Sequence, residues 1–307
     1  MRIIKKANEI GFCYGVRNAI KIVSLVANNE NTIKPIYLLG SLVHNHHVNE
    51  YFQSLGIIIL EGKSRYEMLD LIETGTVIIT AHGVSDKVLE KAKYKKLTIV
   101  DATCPYVDRT VIEMKKKLND GYDLLFIGKS NHPETETALS LANNVYLVDK
   151  NLNDKFINNP ILCHQTTMSS YDIESTFNEL KTKFKNLKKI KMICNATEKR
   201  QKLIMNLKNY NFANKSLIII IGDKSSNNST KLFEIANRLN KADVLFIDNI
   251  TELNFNELKI YEEIQLFSGT STPKAIVDEL YDLLINLDNI NANKLESKLS
   301  LKEYIEN

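Results

Sequence analysis

Residues 97–105 read Leu97-Thr98-Ile99-Val100-Asp101-Ala102-Thr103-Cys104-Pro105: a β-branched run, a short polar break, a cysteine and a proline. The β-branched run reads as a strand, and proline is favoured in the first turn of a helix, so Cys104 stands at a strand-to-helix junction. The same order returns in Met192-Ile193-Cys194-Asn195-Ala196-Thr197, and Gly11-Phe12-Cys13-Tyr14-Gly15-Val16 also leads into a helix-period segment. The three cysteines are spaced 91 and 90 residues apart. A fixed period of domain size marks an internal repeat.

The repeat extends beyond the cysteines. After each one comes a strand ending in glycine and a polar cluster: Gly40-Ser41-Leu42-Val43-His44-Asn45, Gly128 to Glu134, and Gly222 to Ser229. Later in each unit a second strand ends in another polar cluster: Thr80-Ala81-His82-Gly83-Val84-Ser85, Gln165-Thr166-Thr167-Met168-Ser169, and Ser268-Gly269-Thr270-Ser271-Thr272-Pro273. Strands are expected over residues 36–39, 57–60, 77–80, 97–101, 123–127, 145–148, 161–163, 190–193, 217–221, 244–247 and 264–267. Helices are expected over 14–27, 84–93, 106–119, 170–184, 197–210, 230–239 and 273–287. This alternation predicts an α/β fold with mainly parallel strands, built as three similar units. The expected units are 14–104, 105–193, and 1–13 with 194–288. The tail from 289 to 307, rich in Asn, Lys, Ser and Glu, has a composition that favours partial disorder. Ligands of open α/β sheets gather at the carboxyl ends of strands, so three units facing one axis would bring the polar clusters to a common pocket.

Charged residues make up 25% and hydrophobic residues 44%, an ordinary globular balance. A net charge of +3 gives no electrostatic case for nucleic acid. Lysine runs such as 91–96 and 181–191 read as solvated faces. No stretch approaches the roughly 20 apolar residues of a membrane span, and the first ten residues hold no apolar segment of signal-peptide length. A cytoplasmic enzyme is the expectation. Four widely spaced cysteines, Cys13, Cys104, Cys163 and Cys194, argue against a disulfide framework and leave metal binding, catalysis or packing.

A helix N-terminus carries partial positive charge and unbonded N–H groups, which offset the negative charge of a thiolate-bound centre. Three such cysteines suit zinc with an open position or an iron–sulfur cluster whose fourth iron is open. No close-spaced Cys-x-x-Cys pair supports a ferredoxin-type carrier. The clusters hold His44, His82, His132, Ser226, Asn228 and Ser271, whose N–H and O–H groups suit phosphate oxygens, although no P-loop motif is present.

With these motifs in register the chain resembles the 4-hydroxy-3-methylbut-2-enyl diphosphate reductase family. The resemblance rests on Gly11 to Val16, Val43-His44-Asn45, Ala81 to Ser85, Asp101 to Pro105, His132-Pro133-Glu134, Gln165-Thr166-Thr167, Ile193 to Thr197 with Arg200-Gln201, Ser226 to Ser229, and Gly269 to Pro273. It covers roughly residues 1–285. It implies a three-part cloverleaf around a 4Fe-4S cluster bound by Cys13, Cys104 and Cys194, with the fourth iron open to substrate. His44, His82, His132, Thr166, Ser226, Asn227, Asn228 and Ser271 would contact an allylic diphosphate. Glu134 would be the proton donor and Thr166 its partner hydroxyl, with Thr167 and Thr197 beside the site. Reduced ferredoxin or flavodoxin would deliver two electrons, giving isopentenyl and dimethylallyl diphosphate.

Two positions depart from the family pattern. Asn227 replaces a serine in the usual Ser-Ser-Asn, and Thr137 replaces a glycine, a change expected to reshape the turn into the following helix. Cys163 lies outside the ligand motifs. A quinolinate synthase-like dehydrating enzyme would share three spaced cysteines, but His132-Pro133-Glu134 and Ala81 to Ser85 point away from it. A non-catalytic iron–sulfur sensor would have no use for a buried acid.

Overall fold

Residues Leu217–Ile221 are all fully buried, which requires cover on both faces of a strand and is the mark of a parallel sheet flanked by helices. The computed structural model describes residues 2–149, 152, 157–290, 293–297 and 299–306. Among them run strands β1 (Ile3–Lys6), β2 (Ile36–Leu39), β3 (Ile58–Leu60), β4 (Thr76–Ile79), β5 (Thr98–Asp101), β6 (Asp123–Ile127), β7 (Val145–Leu147), β8 (Pro160–His164), β9 (Lys188–Lys189), β10 (Ser216–Ile221), β11 (Asp243–Ile247) and β12 (Glu263–Ser268). They form three four-stranded sheets, ordered β3-β2-β4-β5, β7-β6-β8-β9 and β11-β10-β12-β1, and every pair is parallel.

The three orders are one pattern. Numbered within its own sheet, each reads second, first, third, fourth. The N-terminal strand β1 supplies the fourth place of the last sheet, paired to β12 with Ile3 opposite Glu263. The chain order therefore reverses between β2 and β4, between β6 and β8, and between β10 and β12. Such switch points are where α/β sheets bind ligands.

The central strands are apolar because both faces are packed. Leu124, Phe126, Ile161 and Cys163 on one face of their sheet join Met114, Ala138 and Val145, while Leu125, Ile127 and Leu162 on the other join Ile173, Leu180 and Leu187. Ile218 and Ile220 pack with Ile204, Leu232, Ala236 and Phe267. Leu39, Val77 and Ile79 pack with Met68, Leu69, Val88 and Ala92.

By contact density the chain forms two compact units: Met1–Val16, His44–Tyr51 and Asn195–Asn307 in the first, Arg17–Val43 and Phe52–Cys194 in the second. The first contains the sheet completed by β1, and the second contains the other two.

Several elements differ from expectation. The segment 3–6 was not expected as a strand; its alternation of exposed and half-buried residues, ending in two lysines, reflects an edge position with one neighbour. A strand expected at 190–193 stands instead at Lys188–Lys189, opposite Ile161 and Leu162. The ladder ends because the Met192 N–H goes to the His164 imidazole Nε2 at 3.1 Å. Sequence also missed the helices His46–Ser54 and Pro133–Leu139, which are short and lack a full apolar stripe. The expected disorder of the tail does not hold throughout. Residues 301–306 are helical, Ile305 is buried, and Ser297 Oγ donates to Glu279 at 2.7 Å, so one apolar anchor and local hydrogen bonds offset a polar composition. Residues 291, 292, 298 and 307 of that tail lie outside the described residues. No helix among the described residues is long and apolar enough to cross a membrane.

Candidate active site

The polar segments found in sequence all follow the two inner strands of a sheet. His44 follows β2 and His82 follows β4; His132 follows β6 and Thr166 follows β8; Ser226 follows β10 and Ser271 follows β12. Each cysteine of the repeat follows the fourth strand: Cys104 after β5, Cys194 after β9 and Cys13 after β1.

In the second compact unit the centre of interest is Glu134. His132 caps the helix Pro133–Leu139, its ring Nδ1 accepting the Glu134 N–H at 3.1 Å. That contact fixes the tautomer. Nδ1 is the acceptor, so Nε2 carries a proton and is a donor. The His132 ring meets His82 edge to face, with centroids 5.2 Å apart. Glu134 is 6% exposed. Its Oε2 accepts the Thr166 backbone N–H and its Oε1 accepts the Thr166 hydroxyl, both at 2.9 Å. Burial drives its pKa up to about 7, against these two bonds, which favour the carboxylate. A carboxyl with a pKa there holds or yields a proton near neutrality. Thr166 Oγ1 can accept that proton on one side while donating its own on the other, an arrangement able to relay a proton in two steps.

Cys194 joins this unit through its N–H, which donates to the Thr166 carbonyl at 3.3 Å. Cys104 caps the helix Pro105–Asn119, and its N–H donates to the Ala81 carbonyl at 3.0 Å, beside His82. Thr137 lies buried inside the helix Pro133–Leu139, past the turn that leads into it.

In the first unit Ser226 caps the helix Asn227–Leu239, and its Oγ accepts the Ser229 N–H at 3.4 Å. Ser271 Oγ donates to the His44 carbonyl at 3.1 Å and lies 3.3 Å from Ser226 Oγ. His44, Ser226 and Ser271 therefore come together. Asn228 is buried, and its amide is committed within the protein: Oδ1 accepts the Thr270 N–H at 2.9 Å and Nδ2 donates to Thr197 Oγ1 at 3.2 Å. These bonds support the loop and use one of the two Nδ2 hydrogens, so a second N–H of the amide remains as a donor. Asn227 is buried in the first turn of the same helix. The Cys13 N–H donates to the Thr270 carbonyl at 2.9 Å.

A residue that sequence reading quoted without a role proves central here. Buried Arg200 donates Nη1 to the carbonyls of Ser268 (2.9 Å) and Gly269, and Nη2 to the carbonyl of Gly11 at 2.5 Å. It ties the loop before Cys13 to the loop before Ser271. Both loops need glycine. Gly11 has φ +76, and a Cβ there would lie 2.7 Å from Lys274 Cβ; a Cβ on Gly269 would lie 2.0 Å from Ser229 Oγ. Arg200→Met should take the guanidinium donors from three carbonyls, of which Gly269 keeps only the Thr272 N–H at 3.3 Å among the described residues, and lower stability by about 3 kcal/mol, read as a fall in denaturation midpoint. A midpoint within error of the parent would remove Arg200 from this role.

The four cysteines divide by environment. Cys13, Cys104 and Cys194 are in no disulfide, each partly exposed and directly before a helix. Cys163 is fully buried in β8, and burial raises its pKa to about 12. The first three fit an iron–sulfur cluster as soft ligands with helix N-termini behind them. The fourth is an inert part of the core.

Comparison with known proteins gives the family. Residues 4–285 match the family model described as LytB protein. A Macrococcus caseolyticus protein named 4-hydroxy-3-methylbut-2-enyl diphosphate reductase is 39% identical over 301 residues, spanning 95% of this chain and 91% of that one. A Bacillus cytotoxicus protein of the same name is 38% identical, spanning 97% and 95%. The solved E-1-hydroxy-2-methyl-but-2-enyl-4-diphosphate reductase of Plasmodium falciparum matches with a TM-score of 0.82 at 28% identity, over 99% of this chain and 97% of that one. Likeness of this extent, reaching from the first strand through the last, means that the chain belongs to the LytB family of 4-hydroxy-3-methylbut-2-enyl diphosphate reductases.

Proposed function

We propose that this chain catalyses the reductive dehydroxylation of (E)-4-hydroxy-3-methylbut-2-enyl diphosphate to isopentenyl and dimethylallyl diphosphate. The observation that carries the reading is the buried Glu134–Thr166 pair, with a carboxyl poised near neutrality. The reaction breaks one C–O bond, consumes two electrons and two protons, releases water and forms one C–H bond. Hydroxide is a poor leaving group, so a proton must reach the oxygen as the bond breaks. Glu134 supplies it, directly or through Thr166 Oγ1, and burial keeps that proton from exchanging with bulk water. Placing the new hydrogen at one or the other end of the allylic system gives the two products.

Cys13, Cys104 and Cys194 would hold a 4Fe-4S cluster, which would supply the two electrons. Reduced ferredoxin or flavodoxin is the donor, and the cytoplasm is the setting. The division into units 14–104, 105–193 and 1–13 with 194–288 follows the repeat, supported by the three sheets of equal strand order.

His132 Nε2–H, His44, His82, Asn227, Asn228 and the hydroxyls of Thr166, Ser226 and Ser271 bind the allylic diphosphate, with Thr167 and Thr197 beside the site. A helix N-terminus at Ser226 adds its dipole. Each hydrogen bond to a charged oxygen contributes about 1.5–3 kcal/mol. Ser226→Ala and Ser271→Ala should therefore each raise the dissociation constant for the substrate about 10- to 100-fold in calorimetry. Unchanged affinity in both would place the diphosphate elsewhere. Anaerobic turnover with the allylic diphosphate and a reduced mediator tests the activity itself: both isopentenyl and dimethylallyl diphosphate should appear, and formation of neither by protein of full iron content would reject it.

A further inference from the structure

A second group of metal-binding side chains lies in the first compact unit, among residues given no role above. His46 and His47 open the helix His46–Ser54, and Asp248 follows β11. One ligand atom from each lies within 4.8 Å of the others. His46 Nδ1 is 2.7 Å from Asp248 Oδ2 and 3.6 Å from Asp223 Oδ2. The two imidazole centroids are 3.8 Å apart. His47 is 5% exposed, whereas the His46 side chain is 43% exposed, so the group has a buried wall and an open door.

The carboxylates are held in place by other bonds. The Asp248 N–H donates to Glu252 Oε1 at 2.7 Å. Asp223 Oδ1 accepts the Ser225 N–H at 2.7 Å, leaving Oδ2 toward His46, whose own N–H reaches it at 3.1 Å. The second oxygen of Asp248 also bears on cation binding. Asp248 Oδ1 is buried and has no hydrogen-bond partner among the described residues. A buried carboxylate oxygen left so is costly, and a cation is its natural complement.

We propose that His46, His47 and Asp248 bind one divalent cation of the zinc class, with Asp223 as a neighbouring carboxylate. Two imidazoles and a carboxylate make a borderline N/O set that suits zinc rather than magnesium or calcium, and three protein ligands leave room for water. Zinc bonds of about 2.0–2.2 Å put tetrahedral ligand atoms about 3.3–3.5 Å apart, so the group closes on a metal by side-chain rotation without moving the backbone. The bound ion ties the helix at 46 to the turn after β11 at 248, and His46 in turn contacts Asp223 in the loop after β10. That last loop leads directly to Ser226, its Asp223 carbonyl accepting the Ser226 N–H at 3.0 Å. The group includes none of the cysteines and does not depend on the proposed reaction.

Zinc titrated calorimetrically into the anaerobically purified, iron-loaded protein should bind as one equivalent, with magnesium giving no heat. Asp248→Asn keeps shape and should weaken zinc binding at least 10-fold, as should His46→Gln at the exposed position. X-ray absorption at the zinc edge should show a nitrogen and oxygen shell at about 2.0–2.1 Å with no sulfur at about 2.3 Å. A sulfur shell would assign the ion to the cysteines and overturn the site. So would the absence of a zinc equivalent in the parent, or unchanged affinity in both variants, which would make the group an ion-pair cluster only.

Discussion

Glu134→Gln is expected to abolish nearly all turnover, by a factor of about 10²–10⁴, while iron content and substrate affinity stay near those of the parent. The amide is close to isosteric. Its oxygen can still accept the Thr166 N–H, and its NH₂ can donate to Thr166 Oγ1, so both 2.9 Å contacts have a replacement. What it lacks is a transferable proton. The pH dependence follows from the same shift. In the folded protein Glu134 is raised from the ordinary 4.5 to about 7, chiefly by burial. It is a competent acid below that value, and the parent kcat should fall as pH rises through about 7. Stability has the same sign: a carboxyl with a raised folded pKa contributes stability fully present below about 4.5, lost as pH rises through about 7. The loss is about 3 kcal/mol. Glu134→Gln should show neither dependence. Single-turnover measurement of the variant against pH decides the matter: rates near the parent's, with full iron content, would mean that the proton comes from another group.

Replacing Cys13, Cys104 or Cys194 singly with Ser is expected to remove the visible iron–sulfur absorption and leave activity at background. A hydroxyl is a poor replacement for a thiolate ligand, and three ligands leave none to spare. Cys163→Ala is expected to keep both iron and activity. Its sulfur sits among Met114, Phe126 and Ile161 in the packed face of a sheet, so its loss costs only a small cavity, about 1 kcal/mol. Iron analysis of the four anaerobically purified variants separates the two classes. Loss of iron on changing Cys163, with retention on changing one of the others, would redraw the ligand set.

The repeat was legible in sequence because it rests on local signals. A β-branched run, then a turn, then a helix start can be read within ten residues, and the recurrence of Cys13, Cys104 and Cys194 at one period needs only counting. Parallel strands buried on both faces leave plain apolar runs such as Leu217–Ile221, so the fold class followed. The polar residues of the motifs stood out because they interrupt those runs at fixed places.

Other features depended on partners distant in the chain. Strand β1 carries too little apolar pattern to announce itself; it becomes a strand because β12 offers it an unpaired edge some 260 residues later. The helix after His132 has seven residues, too few for a periodic stripe, and exists because proline and a histidine cap start it. Arg200 reads as one more charge on a helix until the carbonyls of Gly11, Ser268 and Gly269 surround its guanidinium. Asn228 reads in sequence as a donor to phosphate, and only folding shows that its amide also bonds Thr197 and Thr270. Likewise, nothing in the His46-His47 pair indicates Asp248, which lies two hundred residues on. Sequence by itself determined the alternating elements, their threefold repetition and the chemical types at each strand end, since these depend on neighbours in the chain. The strand order, the acid strength of Glu134 and the pairing of each polar group were decided by tertiary structure, because burial and hydrogen-bond partners come from segments far apart in sequence.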